Sequence, residues 1–290
     1  MQLSIVNDKR VEAFVGGRGV CPSCGSEMIA KCGPRIIHHW AHYKRRDCDP
    51  WWENETQWHR DWKNKFPENC REISHTADDG EIHRADVKTP TGIVIEIQHS
   101  SMTDAERISR EEFYKNLVWV IDGSVFQDNF DIYHMLPNPE SEVAQDLVWS
   151  KAKRHMNGSN DGIFFRLSEA QKDDPKITKK TLNGGWIHGI REIEDEIKKS
   201  YNGYHQYDWV RPRKTWLDAN SPVYIDFNTD YLVKLETYDS SALKCVRLVS
   251  KRKFVHDVMV EKNAKDIVTI QHMAIYRCNQ LIPASVNAGI

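Results

Sequence analysis

The sequence predicts an α/β protein with a cysteine- and histidine-rich zinc-binding module ahead of its core and an α+β accessory region behind it. Three observations carry that prediction. A hairpin sets single acids inside its strands, Arg84-Ala85-Asp86-Val87-Lys88 and Ile93-Val94-Ile95-Glu96-Ile97-Gln98-His99; the order helix, hairpin, helix, strand surrounds it; and four of the seven cysteines crowd into the first fifty residues. The expected divisions are a module over 1–50, a core over 51–137 and an accessory region over 138–290.

At 290 residues the chain is long enough for about two domains and a sizeable core. A formal net charge of −2 excludes a global attraction to nucleic acid, so any such surface is local. No run of eighteen apolar residues occurs and the first residues lack a signal-peptide core, so the default expectation is a cytoplasmic protein without membrane contact. An odd cysteine count in a reducing compartment favours metal binding over a disulfide framework.

In the module, Cys21-Pro22-Ser23-Cys24-Gly25 is a C-x₂-C knuckle whose glycine permits the turn that brings two thiolates to one metal. Cys32, the run His38-His39-Trp40-Ala41-His42 and Cys48 follow. No βαβ pattern surrounds the knuckle, which argues against a redox dithiol. The residue types and separations point to tetrahedral Zn²⁺, with Cys21, Cys24, His39 and His42 the favoured quartet and Cys48 and Cys32 as substitutes. So short a segment has little core, and its ion would supply much of its stability. The segment is also cationic, with Lys31, Arg35, Lys44, Arg45 and Arg46 interleaved with Trp40, Tyr43, Trp51 and Trp52. Basic and stacking groups together suit single-stranded or flexible nucleic acid, and Lys44, Arg45 and Arg46 are the candidate phosphate contacts; a solvated face is the plainer alternative.

From Trp51 to Phe66, Trp51, Glu55, Trp58, Trp62 and Phe66 recur at helical spacing, and Pro67 ends the stripe. A carboxylate within an aromatic stripe is costly unless paired or metal-bound, so Glu55 is expected to point toward a cationic centre. His59 and Lys63 follow on an adjoining strip, and a Glu55–His59 helix pair is the structural alternative. A strand is expected over Glu72 to Thr76.

In the hairpin, β-branched residues alternate with Glu96 and Gln98, while Arg84, Asp86 and Lys88 share a face of the first strand. If Thr89-Pro90-Thr91-Gly92 makes the bend, Lys88 pairs with Val94 and Asp86 stands opposite Glu96, about 5 Å away. Two like charges so placed repel unless a divalent cation lies between them. A solvated strand face, where acids cost little, is the alternative.

Thr103 and Glu106 form a capping box that opens a helix to about Asn116. Arg107, Arg110 and Tyr114 share one of its faces; the arginines suit either a phosphate clamp or ion pairs with Glu106 and Glu111. Leu117 to Gly123 reads as a compact strand. Farther on, Arg191 to Ser200 is a charged helix, and Pro222–Phe227, Tyr231–Tyr238 and Leu243–Val260 read as strands. Trp209, Trp216, Tyr224 and Phe227 at strand spacing are expected in a core rather than on a stacking surface.

Taken in order, Cys21-x₂-Cys24, His39-Trp40-Ala41-His42, Glu55-Thr56 with His59 and Lys63, Ala85-Asp86-Val87, Ile95-Glu96-Ile97-Gln98-His99-Ser100, Arg110 with Tyr114, and Val118-Trp119-Val120-Ile121 resemble the competence protein CoiA family over about residues 15 to 125. That family is similar to the PD-(D/E)xK nucleases. The resemblance implies a restriction-endonuclease-like core in which Asp86 and Glu96 bind catalytic Mg²⁺ or Mn²⁺. It puts Gln98 at the usual lysine position and makes Glu55 the carboxylate of the first helix. Glu55 would hold a second ion or orient the first ion's water. The implied function is a metal-dependent deoxyribonuclease in DNA uptake, recombination or repair, with DNA and recombination or repair proteins as partners. The alternative is a noncatalytic zinc-containing DNA-binding adaptor that recruits recombination proteins, motivated by the neutral Gln98, which can orient water but cannot stabilise charge as lysine does.

Overall fold

The computed structural model describes residues 1–44, 48–51, 55–77, 80–155 and 158–266. They form a mixed α/β protein that divides into two compact units, one of Met1–Ile121 with Ala219–Ser221 and 255–266, the other of Asp122–Asp218 with Pro222–Phe254.

The first unit opens with a five-stranded antiparallel sheet. Its strands are β1 (Leu3–Val6), β2 (Lys9–Glu12), β3 (Arg18–Val20), β4 (Glu27–Gly33) and β5 (Ile36–His42), in the order β2-β1-β3-β4-β5. Met28 and Trp40 are buried on one face of β4 and β5, where they pack with Met1, Ala13 and Cys21 into a small core.

Next comes α1 (Gln57–Lys63), shorter than the stripe from Trp51 to Phe66 predicts. Thr56 caps it, accepting a hydrogen bond from the His59 amide on its Oγ1 at 3.2 Å, so Glu55 lies ahead of the helix rather than within it. Trp62 and Phe66 are buried as the periodicity requires.

Strands β6 (Arg71–Thr76), β7 (Ile82–Lys88), β8 (Val94–Gln98) and β9 (Leu117–Asp122) follow, with α2 (Asp104–Tyr114) between the last two. β6, β7 and β8 are antiparallel neighbours, and β8 and β9 run parallel across the α2 connection. The β7–β8 bend is the expected one: Gly92 donates its amide to Thr89 O at 3.0 Å and takes φ +91°, a conformation glycine tolerates best. The register pairs Lys88 with Val94 and Val87 with Ile95. β8 is a central strand buried along its whole length. Thr103 caps α2 through the Glu106 amide at 3.2 Å.

In the second unit five antiparallel strands lie in the order Phe130–Met135, Tyr204–Trp209, Lys244–Ser250, Tyr231–Thr237 and Val223–Asp226. A smaller sheet pairs Leu147–Trp149, Ile163–Arg166 and His188–Gly189. Leu136, Trp149, Phe164, Ile197 and Tyr238 are buried in one of its clusters. Trp209, Trp216, Tyr224 and Phe227 are buried, as expected of core aromatics. The expected strand from Leu243 to Val260 is instead a strand to Ser250 and a helix over Lys251–Val260. Alternation stops at Ser250, whose hydroxyl accepts from the Lys253 amide at 3.2 Å and starts the helix. Among the described residues no helix is long and apolar enough to cross a membrane.

Candidate functional site

Two constellations meet within the first unit. The first is a cluster of Cys21, Cys24, His42 and Cys48, whose ligand atoms all lie within 4.8 Å of one another. Tetrahedral Zn²⁺ with Zn–S bonds of about 2.3 Å requires ligand atoms roughly 3.5 to 3.8 Å apart. Cys21 Sγ and Cys48 Sγ are 3.9 Å apart, and Cys24 Sγ and His42 Nε2 are 3.3 Å apart, so the donor set and spacing fit structural zinc. Burial pushes the Cys24 thiol upward, but hydrogen bonds with Ser26, His42 and Cys21 outweigh it and bring the group down to about 6, into the range where the thiolate ligand forms.

Cys48 takes the place expected for His39. The reason is strand geometry: in β5 residues three apart point to opposite faces, so His39 and His42 cannot reach one ion. His39 Nδ1 instead lies 2.9 Å from Ile37 O. Cys32, on the same face of β4 as Met28 and Ala30, packs against the small core and stays outside the cluster.

The second constellation is a polar cavity of about 50 Å³ lined by Asp49, Glu55, Glu72, Asp86 and Glu96 together with Lys63, Arg84, Arg110, His59 and Gln98. It brings Glu55, Asp86, Glu96 and Gln98 into one place. Glu96 and Gln98 are 4% and 3% exposed, so this is no solvated strand face. Backbone pairing of β7 with β8 gives way at Asp86, whose Oδ2 accepts the Ile97 amide at 2.9 Å, while the Asp86 amide points at Glu96 Oε1, 3.4 Å away. Each acid has a basic side chain behind it: His59 Nε2 is 2.8 Å from Asp86 Oδ1, and Arg110 Nη1 is 2.9 Å from Glu96 Oε2.

The two carboxyls are driven apart electrostatically. Burial, then the Asp86 charge, raise Glu96 to about 8 against the pull of Arg110. Asp86 is held below its ordinary value: burial would raise it, and the facing His59 and Lys63 more than reverse that. Acid pairs with opposed shifts in one cleft mark candidate functional sites.

Lys63 is the cation of the cavity floor. It is buried, pairs with Glu55 and, at 2.9 Å, with Glu72, and is held strongly protonated because these charges overcome its desolvation. Glu55 also accepts from Arg60 at 2.8 Å, and His59 turns to Asp86 rather than forming the alternative helix pair with Glu55.

Glu72 and Asp49 carry no signal in the sequence. Glu72 takes φ +49°, strained for a side chain of its size, and its carboxylate accepts the Gln2 and Leu3 amides at 2.8 and 2.9 Å as well as Lys63. Those bonds tie β1 to the cavity. Asp49 follows the cluster residue Cys48 directly and accepts the Arg84 amide at 3.0 Å, so the metal cluster and the acidic cavity share a segment of chain.

The arginines expected to clamp phosphate are buried. Arg107 pairs with Glu111 at 2.5 Å, and Arg110 bridges Glu96 and Glu106, which is the ion-pair alternative. Lys44 is exposed, with Nζ 4.9 Å from the Tyr43 ring centre; Arg45 and Arg46 lie outside the described residues.

Fold and site together define a mixed α/β protein with a centre suited to structural zinc beside a buried carboxylate cavity. Residues 11–50, which contain all four cluster residues, match the family model described as competence protein CoiA, N-terminal domain, and the match supports a CoiA-like family assignment. Searches of curated proteins and of solved structures found no match for the chain.

Proposed function

We propose that the chain is a metal-dependent DNA nuclease of the cytoplasm with a competence-related role, and that its β6–β9 segment with α1 and α2 is a PD-(D/E)xK-like core. The observation that carries this reading is the burial of Asp86 and Glu96 against each other in one cavity. A protein interior tolerates such a pair poorly, and five carboxyl groups line the cavity together with Lys63, Arg84, Arg110 and Met1. An all-oxygen donor set of this kind suits Mg²⁺ or Mn²⁺, with Asp86 and Glu96 as the holding residues. When bound, the ion supplies Lewis-acid polarisation of a phosphodiester and a water of lowered pKa.

The chain's own groups would do the rest. Arg110, fixed by Glu96, Glu106 and the Trp51 carbonyl, holds the Glu96 carboxylate in orientation. Gln98, whose Nε2 donates to Ser100 Oγ at 3.1 Å, would orient water through its amide. His59 can carry a proton at Nε2 beside Asp86. Lys63 supplies a positive charge to the cavity where Gln98 cannot. Glu55, held by Lys63 and Arg60, positions that lysine.

The ion pairs that already satisfy Glu55 and Glu96, with the neutral Gln98, favour the second reading, a zinc-containing DNA-binding adaptor that recruits recombination proteins. Mg²⁺- or Mn²⁺-dependent DNA cleavage by the purified chain, lost in Asp86→Asn, supports the nuclease; DNA binding with no cleavage supports the adaptor.

A further inference from the structure

The outer face of the N-terminal sheet takes no part in either constellation. Pairing sets Arg18 of β3 beside Ile29 of β4, Ile29 beside Ala41 of β5, and Lys31 beside His39. By strand alternation these share one face, while Met28, Trp40 and His42 share the other. Arg18 and Lys31 are exposed and His39 is half-buried, whereas Met28 and Trp40 are buried and His42 enters the metal cluster. Tyr43 donates its amide to Glu27 O at 2.9 Å, which continues the alternation and puts its ring on the outer face. The Arg18 guanidinium lies 5.5 Å from the Tyr43 ring centre and Lys44 Nζ lies 4.9 Å from it. Glu27, the acid nearest these cations in the pairing register, is taken up by Arg18.

We propose that Arg18, Lys31, His39, Tyr43 and Lys44 form a DNA-docking surface. It rests on the reading of DNA as the substrate and assigns to the sheet the backbone contacts that the buried Arg107 and Arg110 do not offer. Charge complementarity names the occupant: three exposed side-chain cations, one of them paired with Glu27, surround an aromatic ring and the apolar side chains of Ile29 and Ala41. That combination tracks phosphates and accepts a stacked base, and a rigid sheet fixed by a metal cluster holds its cations at a lower entropic cost than a loop.

The test is fluorescence anisotropy of the zinc-loaded full chain with labelled single-stranded and duplex oligonucleotides over a salt series. Replacing Arg18, Lys31 and Lys44 together by Gln should flatten the slope of log affinity against log salt by about two units on single strands and nearly three on duplex. Lys31→Gln alone, at an exposed position, should remove about one unit and leave zinc content and thermal midpoint unchanged. Tyr43→Ala should weaken single-strand binding more than duplex binding. A Lys31→Gln slope equal to that of wild type overturns the surface while wild-type cleavage still upholds the nuclease. Wild-type protein that binds neither oligonucleotide at low salt overturns both.

Discussion

Glu96→Gln replaces the ionisable carboxyl of the buried pair by a neutral amide and nearly preserves shape. In the folded protein the Glu96 carboxyl titrates near 8, while its ordinary value is 4.5, because burial and Asp86 oppose its ionisation. The folded state therefore keeps a proton that the unfolded chain gives up. The stabilisation from this group is complete below about pH 4.5 and is lost as pH rises through about 8. At about 1.4 kcal/mol per pH unit, the interval corresponds to a loss on the order of 5 kcal/mol in metal-free protein. Urea unfolding of wild type and Glu96→Gln at pH 5, 6, 7 and 8 should show similar stability at pH 5 and a growing advantage of the variant toward pH 8. Mn²⁺ binding near pH 6.5 should release about one proton in wild type, measured by calorimetry in buffers of different ionisation heat, and none from this position in Glu96→Gln. Parallel stability profiles for the two proteins, with no proton released on Mn²⁺ binding, would refute the idea that the two carboxyls share a site with a cation.

Protein purified without chelator should hold about one zinc per chain; Cys48→Ser should lose it, His39→Ala should keep it, and elemental analysis decides between them. Lys63→Met takes the paired cation from the buried Glu72 and leaves Glu55 with Arg60 alone, and should cost about 3 to 5 kcal/mol in urea unfolding, whereas a change below about 1 kcal/mol would show that the ion pairs contribute little. Chelation of the zinc should also lower Mn²⁺ affinity at the acidic cavity, because Cys48 and Asp49 are adjacent; undiminished Mn²⁺ binding by zinc-free protein would separate the two sites.

Features fixed by local chemistry were legible in the sequence. The Thr89–Gly92 bend sets the register of β7 against β8, so alternation alone placed Asp86 and Glu96 on one side of the hairpin. Thr103 caps α2 through a bond three residues away, and the C-x₂-C knuckle is a single turn. What failed depended on contacts that sequence does not encode locally. His39 lost its place to Cys48 because residues 36–42 are extended, a conformation that sends His39 and His42 to opposite faces. The choice of Glu96 as partner for Arg110 bridges two elements, unlike the Arg107–Glu111 pair one helical turn apart. Glu72 enters the cavity only through a left-handed backbone conformation, which composition and periodicity do not announce.

DNA cleavage by the zinc-loaded full chain, measured on plasmid and on circular single-stranded DNA with Mg²⁺ or Mn²⁺, tests the central claim most directly. The expected result is ion-dependent cleavage by wild type, no cleavage by Asp86→Asn with DNA binding retained, and cleavage kept or raised by Gln98→Lys. Wild type and Gln98→Lys both inert with either ion, or Asp86→Asn cutting at the wild-type rate, would contradict it.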